Sequence, residues 1–117
     1  MSVPGASARL TADHEIPARA PLRVRAGKTV RVGDRDAEWP AFVLVRAEGG
    51  EGWVPSRHLD GARPEARVVE AYDTTELPAR SGVVVEIVAD DDASGWAWCR
   101  DAAGREGWVP HRVLHVL

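Results

Sequence analysis

Glu51-Gly52-Trp53-Val54-Pro55 recurs as Glu106-Gly107-Trp108-Val109-Pro110, and each copy runs on to an Arg and a Leu, at Arg57 and Leu59 and again at Arg112 and Leu114. The two stretches stand 55 residues apart (51 to 106) in a chain of 117. Self-similarity at a long fixed period marks a duplicated structural unit, and missing it would mis-assign everything else. Upstream the same offset aligns Leu22, Gly27, Val30 and Val32 with Leu77, Gly82, Val85 and Ile87. It slips by one at Val45-Arg46 against Cys99-Arg100, as a changed loop length between strands would make it. Asp13 and Asp73 fall in step at an offset of 60, which places five extra residues in the opening loop of the first copy.

Within the copies, Thr29 to Val32, Phe42 to Arg46, Val83 to Val88, Trp96 to Arg100 and Gly107 to Val109 alternate or are rich in Val, the pattern of half-buried strands. Gly27-Lys28, Glu48-Gly49-Gly50, Asp90 to Gly95 and Ala103-Gly104 separate them as turns. No long stretch keeps an apolar helical period free of Gly and Pro, so no long helix is expected. Five short strands in so few residues cannot make two broad sheets, but they can curl around one modest core. The expected fold is all-β: two small five-stranded barrels in tandem, residues 8–60 and 67–117, with a tail over 1–7 and a linker over 61–66.

Composition narrows the function classes. Hydrophobic residues make up 44% and charged residues 28%, which is globular and not disordered. The single Cys99 can form neither an internal disulfide nor a cluster, and no His or Cys pair has zinc spacing, so no metal and no cofactor is expected. The longest apolar run, Ala41 to Val45, is far too short for a membrane helix. The N-terminus lacks the charged start and apolar core of a secretory signal, and a cytoplasmic location is expected. A net charge of −3 argues against a sequence-independent grip on nucleic acid. Neither a nucleophile elbow nor a Gly-rich phosphate loop is present, and the paired carboxylates sit in loops, so the chain reads as a non-enzyme.

The order Ala71-Tyr72-Asp73, Glu76-Leu77, Gly82, Trp96, Gly107-Trp108-Val109-Pro110, Val113-Leu114 resembles the Src homology 3 (SH3) domain, over Arg67 to Leu114. Residues 8 to 59 resemble a more divergent member, and the pair is similar to small tandem prokaryotic proteins with variant SH3 domains. The resemblance implies aromatic ridges that seat an extended, polyproline-type peptide. Carried over by position, the second groove uses Tyr72, Trp96, Trp108 and Pro110, with Val113 at the closing aromatic position. The first uses Phe42, Trp53, Pro55 and His58, with Ala12 at the opening Tyr, His14 opposite Thr74, and Trp39 leaning in from the neighbouring loop. Pro55 and Pro110 also read as plain strand terminators.

Charge adds a preference. Residues 63–117 carry six Arg against ten Asp or Glu, and residues 1–62 nine basic against eight acidic, so the acidity gathers in the second copy. Asp90, Asp91 and Asp92 before Trp96, and Glu76 in the opposing loop, are a solvated loop or a rim that selects a basic ligand residue. His58, His111 and His115 lie near the ends of the copies without metal spacing, and Cys99 has the parity of a core position. Two functions remain in view. One is an adaptor binding Pro-rich or basic protein segments; the other is a structural or assembly protein whose Trp faces are covered by its second barrel or by a homodimer mate.

Overall fold

The computed structural model describes residues 4–117. Among the described residues the strands are β1 (Ser7–Leu10), β2 (Arg23–Val24), β3 (Thr29–Arg35), β4 (Phe42–Ala47), β5 (Gly50–Pro55), β6 (Leu59–Ala62), β7 (Glu65–Val68), β8 (Tyr72–Asp73), β9 (Val84–Asp91), β10 (Trp96–Arg100), β11 (Glu106–Pro110) and β12 (Leu114–Val116). One-turn 3₁₀ helices at Ser56–His58 and His111–Val113 follow β5 and β11. The protein is all-β, and no helix among the described residues is long and apolar enough to cross a membrane.

The chain divides into two compact units: unit 1 is Met1–Ala18 with Thr75–Leu117, and unit 2 is Arg19–Thr74. This departs from the expected boundaries. β1 of the first copy sits in unit 1, between β9 and β12 of the second, while β7 sits in unit 2, between β3 and β6 of the first. The expected linker 61–66 is therefore the tip of the β6–β7 hairpin. Residues 1–3 of the expected tail lie outside the described residues, but Gly5 already donates to the Ile87 carbonyl (2.6 Å) and Ile87 donates to that of Ala6 (2.8 Å).

Register explains the exchange. In unit 1, Ser7 faces Glu86, Ala8 faces Val85 and Val116, Arg9 faces Val84 and His115, and Leu10 faces Leu114. In unit 2, Glu65 faces Arg31, Ala66 faces Val30 and Gly61, Arg67 faces Thr29 and Asp60, and Val68 faces Leu59. Each β9 and β12 partner is 55 residues beyond its β3 or β6 counterpart, so Ser-Ala-Arg-Leu and Glu-Ala-Arg-Val occupy equivalent slots. Both strands bury their second and fourth residues. A strand is specified by which face is apolar, and here two strands carry the same specification.

The sheets run β11-β10-β9-β1-β12 and β5-β4-β3-β7-β6, with a separate β2-β8 pair. The expected five-stranded barrels are thus two open five-stranded sheets and a third, two-stranded one. Pro55 and Pro110 end β5 and β11, where a residue without an N–H cannot extend the ladder, and the chain turns through a 3₁₀ helix into the opposite edge strand. The unit 1 core is Ala8, Leu10, Leu77, Val85, Ile87, Ala97, Cys99 and Val109. In unit 2 Leu22, Val24, Val30, Phe42, Val43, Val45, Val54, Ala66, Val68 and Tyr72 are buried.

Candidate functional site: an aromatic face in each unit

Period-two alternation turns Ala97, Cys99 and Val109 into the core and leaves their neighbours on the outer face of β10 and β11. That face is a ladder of three rungs, Trp96 opposite Pro110, Trp98 opposite Trp108, and Arg100 opposite Glu106. The Trp98 and Trp108 rings meet edge to face at 5.3 Å, a favoured aromatic geometry. The Trp98 indole N–H donates to Glu106 at 2.7 Å and the Arg100 guanidinium at 2.8 Å. Those two donors, the indole first, hold the Glu106 carboxyl below its usual value. Trp108, expected in the groove with Trp96, lies on the same outer face, directly opposite Trp98.

The segment before Leu77 lies across β11. Trp108 N–H donates to the Thr75 carbonyl (2.9 Å) and Leu77 N–H to that of Trp108 (3.1 Å). A Cβ on Gly107 would come within 2.6 Å of the Glu76 carbonyl carbon and the Leu77 nitrogen, so only glycine admits this crossing. The crossing sets Glu76 beside His14. His14 is bridged to Ala79 by two backbone hydrogen bonds of 2.8 and 3.1 Å, and its ring meets Trp96 edge to face at 5.6 Å. Its side chain is 10% exposed; Nε2 lies 3.1 Å from a Glu76 oxygen but outside hydrogen-bond geometry. The unit 1 face thus joins His14, Glu76, Trp96 and Pro110.

Asp90 and Asp91 belong to the end of β9, opposite Ala97 and Trp96, rather than to a loop. Asp90 receives His111 Nε2 at 2.6 Å and its side chain is only 9% exposed, whereas the Asp92 side chain is 64% exposed, 3.9 Å from His111 Nδ1. One ligand atom each from Asp90, Asp92 and His111 lies within 4.8 Å of the others. With one ring nitrogen turned to each carboxylate, His111 stands as a bridge between them. Of the expected acidic rim, Asp92 is exposed, Asp91 and Glu76 are partly exposed, and the Asp90 side chain is turned to His111. Val113, in the second 3₁₀ turn, is half-buried against the core.

Unit 2 repeats the ladder as Phe42 opposite Pro55, Leu44 opposite Trp53, and Arg46 opposite Glu51. Arg46 donates to Glu51 at 2.8 Å and lowers its carboxyl below the usual value. Tyr72, expected beside Trp96, belongs here: its ring meets His58 edge to face at 5.0 Å, and His58 Nδ1 is 3.0 Å from the Glu70 carbonyl. Tyr72 and His58 are 8% and 4% exposed, so this pair is closed, and Phe42 is buried as well at 6%. Trp39 is half-buried in a turn in which its carbonyl accepts the Phe42 N–H (3.0 Å). A cleft between β3, β4 and β6 lies at Val32, Val43 and Leu59, away from the Tyr72–His58 pair.

The equivalence that matters is His14 with Tyr72. His14 pairs with Ala79 and Tyr72 with Val24, 55 residues apart, so His14 fills the opening aromatic position that sequence alignment had given to Ala12. The signal was present: Ala8-Arg9 and Ala66-Arg67 stand 58 apart, and so do His14 and Tyr72. Trp98 shares the strand parity of Trp96 in the sequence and His111 lies near the end of the second copy, but their partners, with Glu106, become visible only once register is known. Cys99 is fully buried, and burial, with the Asp90 charge adding to it, pushes its thiol up to about 12. No family model matches the chain, and no curated protein matches it.

Proposed function

We propose that the protein is a non-enzymatic interaction module of SH3-like, tandem design, whose unit 1 face binds an extended peptide segment carrying a basic residue. The observation that carries this reading is the half-buried Trp96 indole, edged by His14 and paired with Pro110, with the Glu76 carboxylate beside His14 and the exposed Asp92 four residues before Trp96 in the chain. An apolar ridge beside exposed carboxylates suits a peptide that sets a Pro or aliphatic residue on the indole and a Lys or Arg beyond it. The charge balance agrees. Unit 1 carries 5 Lys or Arg against 9 Asp or Glu, net −4, and unit 2 carries 10 against 9, net +1.

Titration of Pro- and Arg-containing peptides, followed by Trp fluorescence, tests it. Trp96→Ala is expected to abolish binding with little change in the melting temperature. Asp92→Asn should weaken binding by the roughly 0.2–1 kcal/mol of an exposed ion pair and flatten its salt dependence. Acidic peptides as the best binders, or a Trp96→Ala protein that binds like the parent, would reject the reading. A second reading, a structural or assembly role, is favoured in unit 2 by the burial of the Tyr72–His58 pair and of Phe42. Acrylamide quenching separates the two, since an open face leaves Trp96 accessible and an assembly contact hides it.

A further inference from the structure

We propose that β1 is exchanged between copies of this chain: the arm Gly5–His14 of one copy fills the slot between β9 and β12 of another, giving a strand-swapped dimer in which each unit 1 face is completed by the other copy's arm. The inference stands apart from the peptide reading, because it rests on strand pairing and not on what the aromatic face binds.

Three observations carry it. The arm is held by contacts that a second copy would reproduce in full. Ala8 and Leu10 are 0% and 1% exposed, the ladder runs to β9 on one side and β12 on the other, and Thr11, His14 and Ser81 add hydrogen bonds to Val113, Ala79 and Asp13. The connection to the rest of the chain runs over the surface: Glu15 to Pro21 are all exposed, lie outside any strand, carry the surface Arg19–Glu51 ion pair (3.7 Å), and include Pro17 and Pro21, which bias their predecessors toward extended backbone. Finally, the two first strands carry one specification. β1 and β7 share the pattern x-Ala-Arg-(Leu/Val), the same burial and the same register, and each copy of the repeat already holds the other copy's first strand. Swapping an identical element between protomers conserves every contact and changes only the hinge.

The consequence for the aromatic face is direct. His14 travels with the arm, because its bridge to Ala79 and its ring contact with Trp96 both lie beyond β1 on the same segment. In the dimer, the imidazole at each Trp96 comes from the other chain.

Cross-linking full-length chains tests this. Arg9 and His115 are opposed across β1 and β12 and both are exposed, so cysteines at these positions lie within disulfide reach. A single chain carrying both Arg9→Cys and His115→Cys should close an internal disulfide, which verifies the positions. Mixing separate Arg9→Cys and His115→Cys chains, with brief exposure to mild urea and re-equilibration, should give a disulfide-linked heterodimer. Its yield should rise from a trace at low protein to the main product near the roughly millimolar effective concentration of a short tether. An Arg9→Cys and Glu48→Cys mixture reports random collision, and buried Cys99 does not contribute. A heterodimer yield no greater than that control, or an exclusively monomeric parent chain by sedimentation at millimolar concentration, would overturn the proposal.

Discussion

Replacing Gly107 with Ala should destabilise the protein more than any other single-methyl addition at its glycines with ordinary backbone angles. Gly107 does not have positive φ, so its identity is set by space alone. The added Cβ would sit 2.6 Å from two backbone atoms of the Glu76–Leu77 peptide and 3.0 Å from the Glu76 oxygen. Return to ordinary contact requires a shift of about 1 Å. That shift strains or breaks the Trp108→Thr75 and Leu77→Trp108 hydrogen bonds, each with a net worth of about 0.5–1.5 kcal/mol. Overpacking alone costs about 1–3 kcal/mol, and because movement relieves part of the clash, the combined loss should be about 2–4 kcal/mol. For a unit of this size that is a fall in melting temperature of about 10–25 °C. Gly52→Ala is the graded comparison. Its Cβ meets the Thr74 methyl at 3.0 Å and hydroxyl at 3.3 Å, a side chain that can yield, although its hydroxyl accepts the Leu22 N–H. A loss of about 1 kcal/mol is expected there. Gly33→Ala, whose Cβ finds Leu44 at 3.5 Å, should be near neutral. Thermal and urea denaturation of the three variants decides the matter. A Gly107→Ala protein that melts within a few degrees of the parent, or a Gly33→Ala protein that is the least stable, refutes the reasoning.

Cys99, with its thiol pushed up to about 12 by burial, should react with a disulfide reagent at pH 8 far more slowly in the native protein than in urea. Glu106 is held below its usual carboxyl value by Trp98 and Arg100, so its contribution to stability is complete above the unfolded value of 4.5 and is lost as pH falls below that through the depressed folded value. Glu106→Gln should therefore lower stability at pH 7 and flatten its acid dependence below pH 4.5, as urea melts at several pH values would record. His111→Ala leaves the Asp90 carboxylate without its 2.6 Å partner, and a loss of about 1–2 kcal/mol is expected from the same melts at pH 6.

The duplicated Glu-Gly-Trp-Val-Pro made the strands, turns and all-β class legible before any coordinate, because strand periodicity and turn glycines are local properties. Sheet membership was not local. The Asp13–Asp73 alignment puts the copies 60 apart, whereas the pairing of Ala8 and Ala66 with Val85 and Val30 puts their first strands 58 apart. That two-residue difference moved the opening aromatic from His14 to Ala12. The assignment of Tyr72 to Trp96 failed for a related reason: Ala-Arg-Leu and Ala-Arg-Val carry the same alternation, and nothing in the one-dimensional pattern states which copy receives which strand. The rungs Trp96–Pro110 and Phe42–Pro55 join residues that the sequence reading had named only as groove members by position, and they form because β10–β11 and β4–β5 are hairpins, where sequence neighbours are also neighbours in space.

The exchange of first strands also divides the two units by when they can form. Every strand of unit 2 lies within one continuous segment, Arg19–Thr74, and all its ladders can close once that segment has left the ribosome. Unit 1 must wait, because Ala8 pairs with Val116 at the far end of the chain and with Val85 in between. Loop closure over such separations is slow to find. Until residues 114–116 emerge, the apolar pair Ala8 and Leu10 has no slot of its own, and the slot between β3 and β6 stays open to it until β7 arrives. The hairpin joining β6 to β7 makes β7 the nearer strand to that slot, so unit 2 closes on a local strand while unit 1 depends on a distant one.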